Sequence, residues 1–463
     1  MTRTLPLILA VALFMEQMDS TVIATSLPAI AADLGTSPIT LKLALTSYLV
    51  AMAMFIPLSG WVADRYGATR TFKCAILVFV IGSLACAVSG SLASFVVWRF
   101  VQGMGGAMMS PVARLILVRK TPRDRLITAM AWLTIPAMIG PLAGPPLGGF
   151  ITTFASWHWI FVINAPIGLI GLICAHRYLE PTGYRDYRRL DLTGLCLISV
   201  CFAGTVFGVS VISLRAIPPG YGVLSVVLGL IAGGIYVLWA ARTDRPLLRL
   251  ELFRKPTFRA AILGGTTFRL CLGASVFLLP LMLQLSFGIS PWDSGRIIFV
   301  SAIGVVSLKF VIRPLLRLMG YKYLLLTGAL LTGVSFAIHT TFVATTPVPL
   351  IMAVLLVAGF FRSSFMTANG TVAYVEMDKP DVADATAFLA SFQQLSLAFG
   401  VAFAGVILEV SAAARGDEIG LPDFHLAYGI IAVVSVLAGG FYLRFDRRTG
   451  HDMSAAQRPV ANS

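Results

Sequence analysis

Apolar stretches of about 20 residues, each ended by a short polar run, repeat along the chain from one end to the other. About 20 apolar residues in helical form span the ~30 Å hydrocarbon core of a bilayer, so the pattern predicts membrane-crossing helices. Fourteen spans are read, at roughly 5–27, 43–63, 72–91, 93–115, 126–153, 157–178, 191–213, 221–241, 258–286, 294–315, 321–342, 347–373, 382–410 and 424–444. The predicted fold class is an all-α polytopic membrane protein. Two groups of six spans flank an extra pair at 191–241, whose members are joined through Pro218-Pro219-Gly220. The expected organisation is an N-terminal six-helix bundle (1–178), a linker with two additional spans (179–257), a C-terminal six-helix bundle (258–444) and a tail (445–463). Transporter halves of this kind are repeats of each other, with the substrate cavity between them near the bilayer midplane.

Composition agrees. Of 463 residues, 57% are hydrophobic and 12% charged, against about 25% charged in an ordinary soluble protein. Before the first span the only basic residue is Arg3, so Leu5 onward reads as a retained first helix, not a cleaved leader. The net charge of +14 would suit nucleic acid, but its distribution does not. Most Lys and Arg fall in tails and loops that alternate on one side, while only Lys42, Arg215, Arg296 and Arg415 fall in loops on the other. That asymmetry predicts an inner-membrane protein with both termini cytoplasmic, touching anionic lipid head groups. The six cysteines lie in or beside apolar spans and read as small core residues, with no metal-ligand spacing. The chain lacks a G-x-x-x-x-G-K-[ST] loop and a soluble segment large enough for ATP. It also lacks a nucleophile–base constellation. No enzyme activity, metal or cofactor is expected, and an ion gradient, most simply of protons, is the expected energy source.

Charges inside apolar spans cost about 3 kcal/mol on insertion scales, so they are rarely idle. The first span holds Glu16 and Asp19, three residues apart and therefore on one helix face. Two acids there suit a proton carrier; an ion pair or a cap at a helix break is the plainer reading of Asp19. Arg99, in the fourth span, stays protonated and must find an anion, a carbonyl or water. Asp19 is its first-choice partner and Glu16 its second. Arg269, Lys309 and Arg362 lie in second-half spans that contain no acid. They either line a water-filled cavity and favour an anionic or zwitterionic substrate or, for Lys309 and Arg362, snorkel to an interface. Gln284, Asn369, Gln393 and Gln394 are candidate polar contacts in that cavity, with Phe and Met supplying an adaptable apolar wall.

The stretch 135–149, IPAMIGPLAGPPLGG, holds four prolines and four glycines within an apolar span. Gly140, Gly144 and Gly148 form a stripe without side chains, along which another helix can approach closely. With Pro145 and Gly149 they resemble motif C of the major facilitator superfamily, which marks its proton-coupled antiporters. Gly60, Asp64, Arg65, Gly67 and Arg70 resemble motif A, which implies a charge-paired latch in the loop after span two. There Gly60 would permit close helix contact, Asp64 would bond a helix end or a basic partner, and Ala68 and Thr69 stand where the family has a basic pair, leaving Arg70. In the second half the matching stretch 313–322 keeps Gly320 but has Arg317 in place of the acid. Arg99, Gln102 and Gly103 resemble motif B. Asp19-Ser20-Thr21-Val22 through Leu27-Pro28 resembles a signature of the fourteen-helix branch. So does SWHWIFVINAPIG from Ser156, in which Trp157 and Trp159 would be interfacial anchors and Asn164 architectural; His158 and His176 read as interfacial.

Together these resemble the drug:proton antiporter family with fourteen transmembrane helices. The resemblance implies a major facilitator fold and an antiporter that exchanges protons at Asp19 or Glu16 for small amphiphilic drugs, working as a monomer without ATP. A dedicated exporter of one metabolite, siderophore or lipid-like compound is the alternative within transport. A non-transporting membrane sensor on the same fold is the alternative outside it.

Overall fold

The computed structural model describes residues 4–122, 125–180, 190–214, 217–244, 246–378 and 381–445. The expected tail from 446, most of the basic segment 177–189, Arg3 and Arg215 lie outside the described residues. Among the described residues every regular element is helical. Spanning helices of the first half are α1 (Thr4–Asp33), α2 (Lys42–Phe55 with Leu58–Tyr66), α3 (Ala68–Ala87), α4 (Leu92–Lys120), α5 (Leu126–Phe154) and α6 (Trp159–Tyr178). Then come the central pair α7 (Leu192–Ile212) and α8 (Pro219–Ala240). The second half has α9 (Pro256–Ser286), α10 (Pro291–Ile312), α11 (Pro314–His339), α12 (Val348–Val372), α13 (Val382–Arg415) and α14 (Leu421–Gly440). Twelve are individually long and apolar enough to cross a bilayer, and the bent pair in α2 makes thirteen. The charge-free 29-residue α5 is one more, which gives the expected fourteen.

Helix ends follow local chemistry. Ser91, Asp191 and Ser290 cap α4, α7 and α10 by accepting the backbone N–H of the residue three further on. Pro stands in the first turn of α8, α9, α10, α12 and α14, where its missing N–H costs nothing. The chain bends by 58° within α2, beside Pro57. Gly67, at φ +87°, turns it from α2 into α3. Gly320, at φ +71°, is the corresponding break in the second half; it interrupts the helical run Pro291–His339, so the residues of α11 before it continue the line of α10.

Leu224, Leu228, Ile231 and Leu238 form an exposed apolar stripe on α8, and Leu169, Ile170 and Ile173 do so on α6. Such faces suit lipid, not water. Cys86 and Cys271 are buried as expected, but Cys74 and Cys196 are exposed and Cys174 and Cys201 half-buried, so the small-core reading holds for two only. Of the inserted pair, α7 covers the seam between the halves and α8 packs on α7. Phe202 and Val206 of α7 share one core with Val50 and Ala53 of α2 and with Phe388 and Leu395 of α13.

An even number of crossings brings the first and last spans to one end of the molecule, the terminal end. At the opposite, far end the two halves are joined. Gln284 Nε2 donates to Thr25 O at 2.9 Å, and Trp292 N donates to Thr153 Oγ1 at 3.1 Å. Lys42 Nζ pairs with Glu409 at 2.6 Å. These ties hold the far end closed.

Candidate functional site

α1 runs through the centre of the first half and carries Asp19 to a site closed off from the surface. Asp19 is fully buried and Arg99 is 1% exposed. Arg99 Nη1 donates to Asp19 Oδ2 at 2.7 Å and to Gln102 Oε1 at 2.7 Å. Gln102, one turn along α4, returns Nε2 to Asp19 Oδ1 at 2.9 Å. Asn164 Nδ2, at the bend entering the main part of α6, also donates to Asp19 Oδ1 at 2.9 Å, and to Ser83 Oγ of α3 at 3.0 Å. Ser83 in turn donates to Phe161 O. The guanidinium carbon of Arg99 lies 4.3 Å from the ring centroid of Tyr48, which adds α2 to the cluster by a cation–π contact. Five helices thus meet on one carboxylate, and charge-assisted bonds occupy both of its oxygens.

Of the two candidate partners, Arg99 takes Asp19. Glu16 is buried apart from the cluster; its Oε1 accepts from Gln17 Nε2 at 3.2 Å, while Oε2 is buried without a partner. Its Cγ faces Gly106 of α4, beside the Tyr48 hydroxyl, which is also unpartnered. Gly103 presses directly on the Tyr48 backbone, a Cβ there falling 2.8 Å from Ala51 Cβ. Asn164 is not merely architectural, because it is a direct donor to Asp19. Trp157 is not an interfacial anchor either. It is 4% exposed, with Nε1 donating to Asp33 Oδ2 at 3.2 Å, whereas Trp159 is 56% exposed.

The glycine stripe of α5 is the surface on which α1 rests. A Cβ at Gly140 would lie 2.9 Å from Met18 N, one at Gly144 3.1 Å from Val22 N, and one at Gly148 2.7 Å from Thr25 Oγ1. Thr25 Oγ1 donates to Pro145 O at 3.3 Å. On its other side α5 meets the second half: a Cβ at Gly149 would fall 3.0 Å from Trp292 Cα, and one at Gly295 3.2 Å from Pro146 Cα. One helix therefore touches both the strand of contacts behind Asp19 and the opposite half.

At the terminal end, Asp64 Oδ1 pairs with Arg119 Nη2 of α4 at 2.6 Å. The acid of the motif-A stretch thus has a partner that the loop sequence does not name. Gly60 corrects a second expectation, since a Cβ there meets open space and no helix approaches it. Arg65 and Arg70 sit beside this turn with contacts of their own. In the second half the turn survives at Gly320 but Arg317 is exposed. A different ionic cluster stands at that half's terminal end. Lys255 bonds Asp378 and Asp381 at 3.1 Å each, and Arg249 bonds Asp381 at 3.0 Å. The Lys255 hydrogen bond first, then its charge and Arg249, hold the Asp381 carboxyl below the usual carboxylate range.

The second-half candidates do not form one group. Gln284 is a tie between the halves and not a cavity residue. Arg362 Nη2 donates to Ser301 Oγ of α10 at 3.1 Å. Lys309 is exposed on α10. Gln393 and Gln394 are half-buried on α13. Arg269 and Asn369 are buried next to one another. Lys42 is fully buried at the start of α2, not a loop residue; its Nζ reaches Glu409 and, at 3.2 Å, Ser213 Oγ at the end of α7. Ser213 also bonds Glu409. An apolar cleft of about 320 Å³ opens between α2, α4 and α7, lined by residues such as Val50, Val97, Phe100 and Phe207.

Comparison with known proteins agrees with this architecture. The chain is 34% identical over 432 residues to the protein of Pectobacterium atrosepticum named for multidrug resistance, MdtD, covering 93% of this chain and 92% of that one. The Salmonella heidelberg protein of the same name is 32% identical over 97% of this chain and 96% of its own. Among solved structures, a D-xylose-proton symporter superposes with a TM-score of 0.70 at 15% identity, covering 96% of this chain and 98% of the other. A sulfate-bound POT peptide transporter superposes at 0.71 and 15%, covering 97% and 95%; these two speak for the fold alone. The profile of the Major Facilitator Superfamily matches residues 9–268 and again 261–461, one match per half, and the chain belongs to that superfamily.

Proposed function

We propose that this protein is a proton-coupled exporter of amphiphilic small molecules, a multi-pass inner-membrane antiporter with both termini cytoplasmic. It has no enzymatic step and no cofactor, and it works as a monomer. One observation carries the reading: Asp19, an acid sealed in the membrane interior, has both oxygens held by Arg99, Gln102 and Asn164. The names of the MdtD relatives support a toxic amphiphile as cargo.

A proton arriving on Asp19 cancels its charge and weakens three charge-assisted bonds at once. Arg99 keeps its charge and its contact with Tyr48 of α2. Six residues earlier on α2 stands Lys42, which holds the far end closed. Proton binding at one site and opening at another thus bias the same helix, which is what linkage requires. The glycine-bedded contact of α1 with α5 provides a second route, because α5 also touches α10. Glu16, buried with a free oxygen, is the other place where a proton can reside.

The test is substrate-induced proton release from everted vesicles whose interior has been acidified. A lipophilic cation or neutral amphiphile added outside raises the luminal pH with the native protein. Asp19→Asn, which keeps the side-chain shape, gives no response while inserting normally. Undiminished proton-driven efflux by Asp19→Asn sinks the assignment.

A further inference from the structure

The second half contains a buried arginine that lacks what Arg99 possesses. Arg269 sits in the middle of α9 at 8% exposure. Among the described residues no hydrogen bond or ion pair reaches it. The sequence explains the missing acid, since it has no Asp or Glu between Glu251 and Asp293 or between Asp293 and Glu376. The nitrogens of Arg269 are not sealed off, unlike the Nε of Arg99, which is enclosed and unbonded. Its slight exposure therefore lies at the charged end.

A second donor stands against it. Asn369 of α12 is fully buried, and its Oδ1 is occupied by the Tyr442 hydroxyl at 2.5 Å. That bond turns Nδ2 the other way, where it has no partner. Both groups converge over Gly265, one turn before Arg269. A Cβ at Gly265 would lie 3.1 Å from Arg269 Nη1 and would collide with Asn369 Nδ2. Glycine there leaves room for two sets of N–H donors and places no acceptor between them. The neighbouring wall is apolar: Phe268 and Phe365 stack at 3.9 Å between centroids, with Leu272 and Met366 packed on them.

We propose that Arg269 and Asn369, with Tyr442 fixing the amide, form a subsite for the carboxylate of an amphiphilic organic anion. A guanidinium presents paired donors to a planar carboxylate, and the amide adds one from the side. A buried cation without a counter-ion is costly, and a ligand that supplies one gains from every donor it satisfies. Leu272 and Met366, the half-buried members of the apolar cluster, offer surface to the ligand's body. Arg362, seven residues before Asn369 and so on the same side of α12, is engaged among the described residues only by a neutral hydroxyl, which leaves the positive field unopposed there. This proposal rests on the export reading, whose cargo it narrows from any amphiphile to acidic ones.

The experiment uses the full-length purified protein and three probes with one fluorescent body: dansylglycine, its neutral amide and dansylcadaverine, an amine. Binding is read by fluorescence and export in proteoliposomes. The native protein should bind the carboxylate at least tenfold more tightly than the amide. Arg269→Gln should cut that carboxylate-to-amide ratio at least tenfold, and Arg269→Lys should cut it less. Asn369→Asp, which builds a carboxylate into the pocket, should abolish the preference. A ratio unchanged by Arg269→Gln, or no binding of the carboxylate to the native protein, overturns the subsite. Because the readout is a ratio, a partly unfolded variant weakens all probes together and does not imitate the result. If the carboxylate binds through Arg269 but no probe is exported, the subsite stands and the export reading falls. If amide and amine are exported with no dependence on Arg269, the reverse holds.

Discussion

Two buried arginines divide this molecule's chemistry. Arg99, in the first half, is completed from within: a carboxylate, a glutamine and an aromatic face meet it. Arg269, in the second, has an amide turned donor-first toward it and no acid. The first half has enclosed its counter-ion, and on the function proposed above it is a proton that undoes the pair. The second half leaves the counter-ion to be brought in. On the readings proposed above, the same residue type serves coupling in one half and recognition in the other, according to whether the chain supplies the partner.

That comparison is best broken by stability. Replacing Asp19 with Ala strands Arg99 in a dry site, and the loss of a buried partner of this kind costs about 3–5 kcal/mol. Thermal unfolding in detergent should show a large fall, which Asp19→Asn, able to accept from Arg99, only partly reproduces. The second half should respond in the opposite sense. Arg269→Met removes an uncompensated charge, so the melting temperature should hold or rise by the equivalent of about 1 kcal/mol. A loss as large as that from Asp19→Ala would mean that Arg269 has an internal partner after all, and the contrast between the halves would be gone.

Smaller effects sharpen the picture. Glu409→Gln weakens the hold on Lys42 in the far-closed state alone. A shift of about 1.4 kcal/mol changes a two-state population tenfold. A cysteine at Thr25, buried beneath the tie from Gln284, should then react about tenfold faster with a membrane-impermeant maleimide. Asp64→Asn should matter least for stability. Its pair with Arg119 is partly exposed, and such pairs contribute about 0–1 kcal/mol, so the melting temperature should barely move.

The spans and both members of the Asp19–Arg99 pair were legible because a charge in an apolar run stands out against a low background. Asn164 was harder to see as a ligand of Asp19. A neutral amide in a tryptophan-rich run carries no such contrast, and the contact joins residues 145 positions apart. Lys42 and Glu409 escaped for a related reason. Each lies near a span end, where charge is unremarkable, and only the packed structure brings them together across 367 residues. Gly60 shows the converse: its stretch resembles a family motif, but nothing packs on it in the far-closed arrangement. Tyr442 lies in the last turns before the tail, and its bond to Asn369 decides which way a distant amide points.

The Lys42–Glu409 pair has a consequence outside the protein itself. Its two charges belong to different halves, and the lysine is dry while they touch. Opening the far end pulls a cation from an anion and wets both. Mobile ions stabilise separated charges far more than a buried pair, and the Debye length falls from about 30 Å to about 10 Å between 0.01 and 0.1 M salt. The opening step therefore becomes easier as the medium bathing the far end grows saltier, while salt on the terminal side has no access to it. A carrier built this way senses the ionic strength of one compartment, the one that bathes its far end.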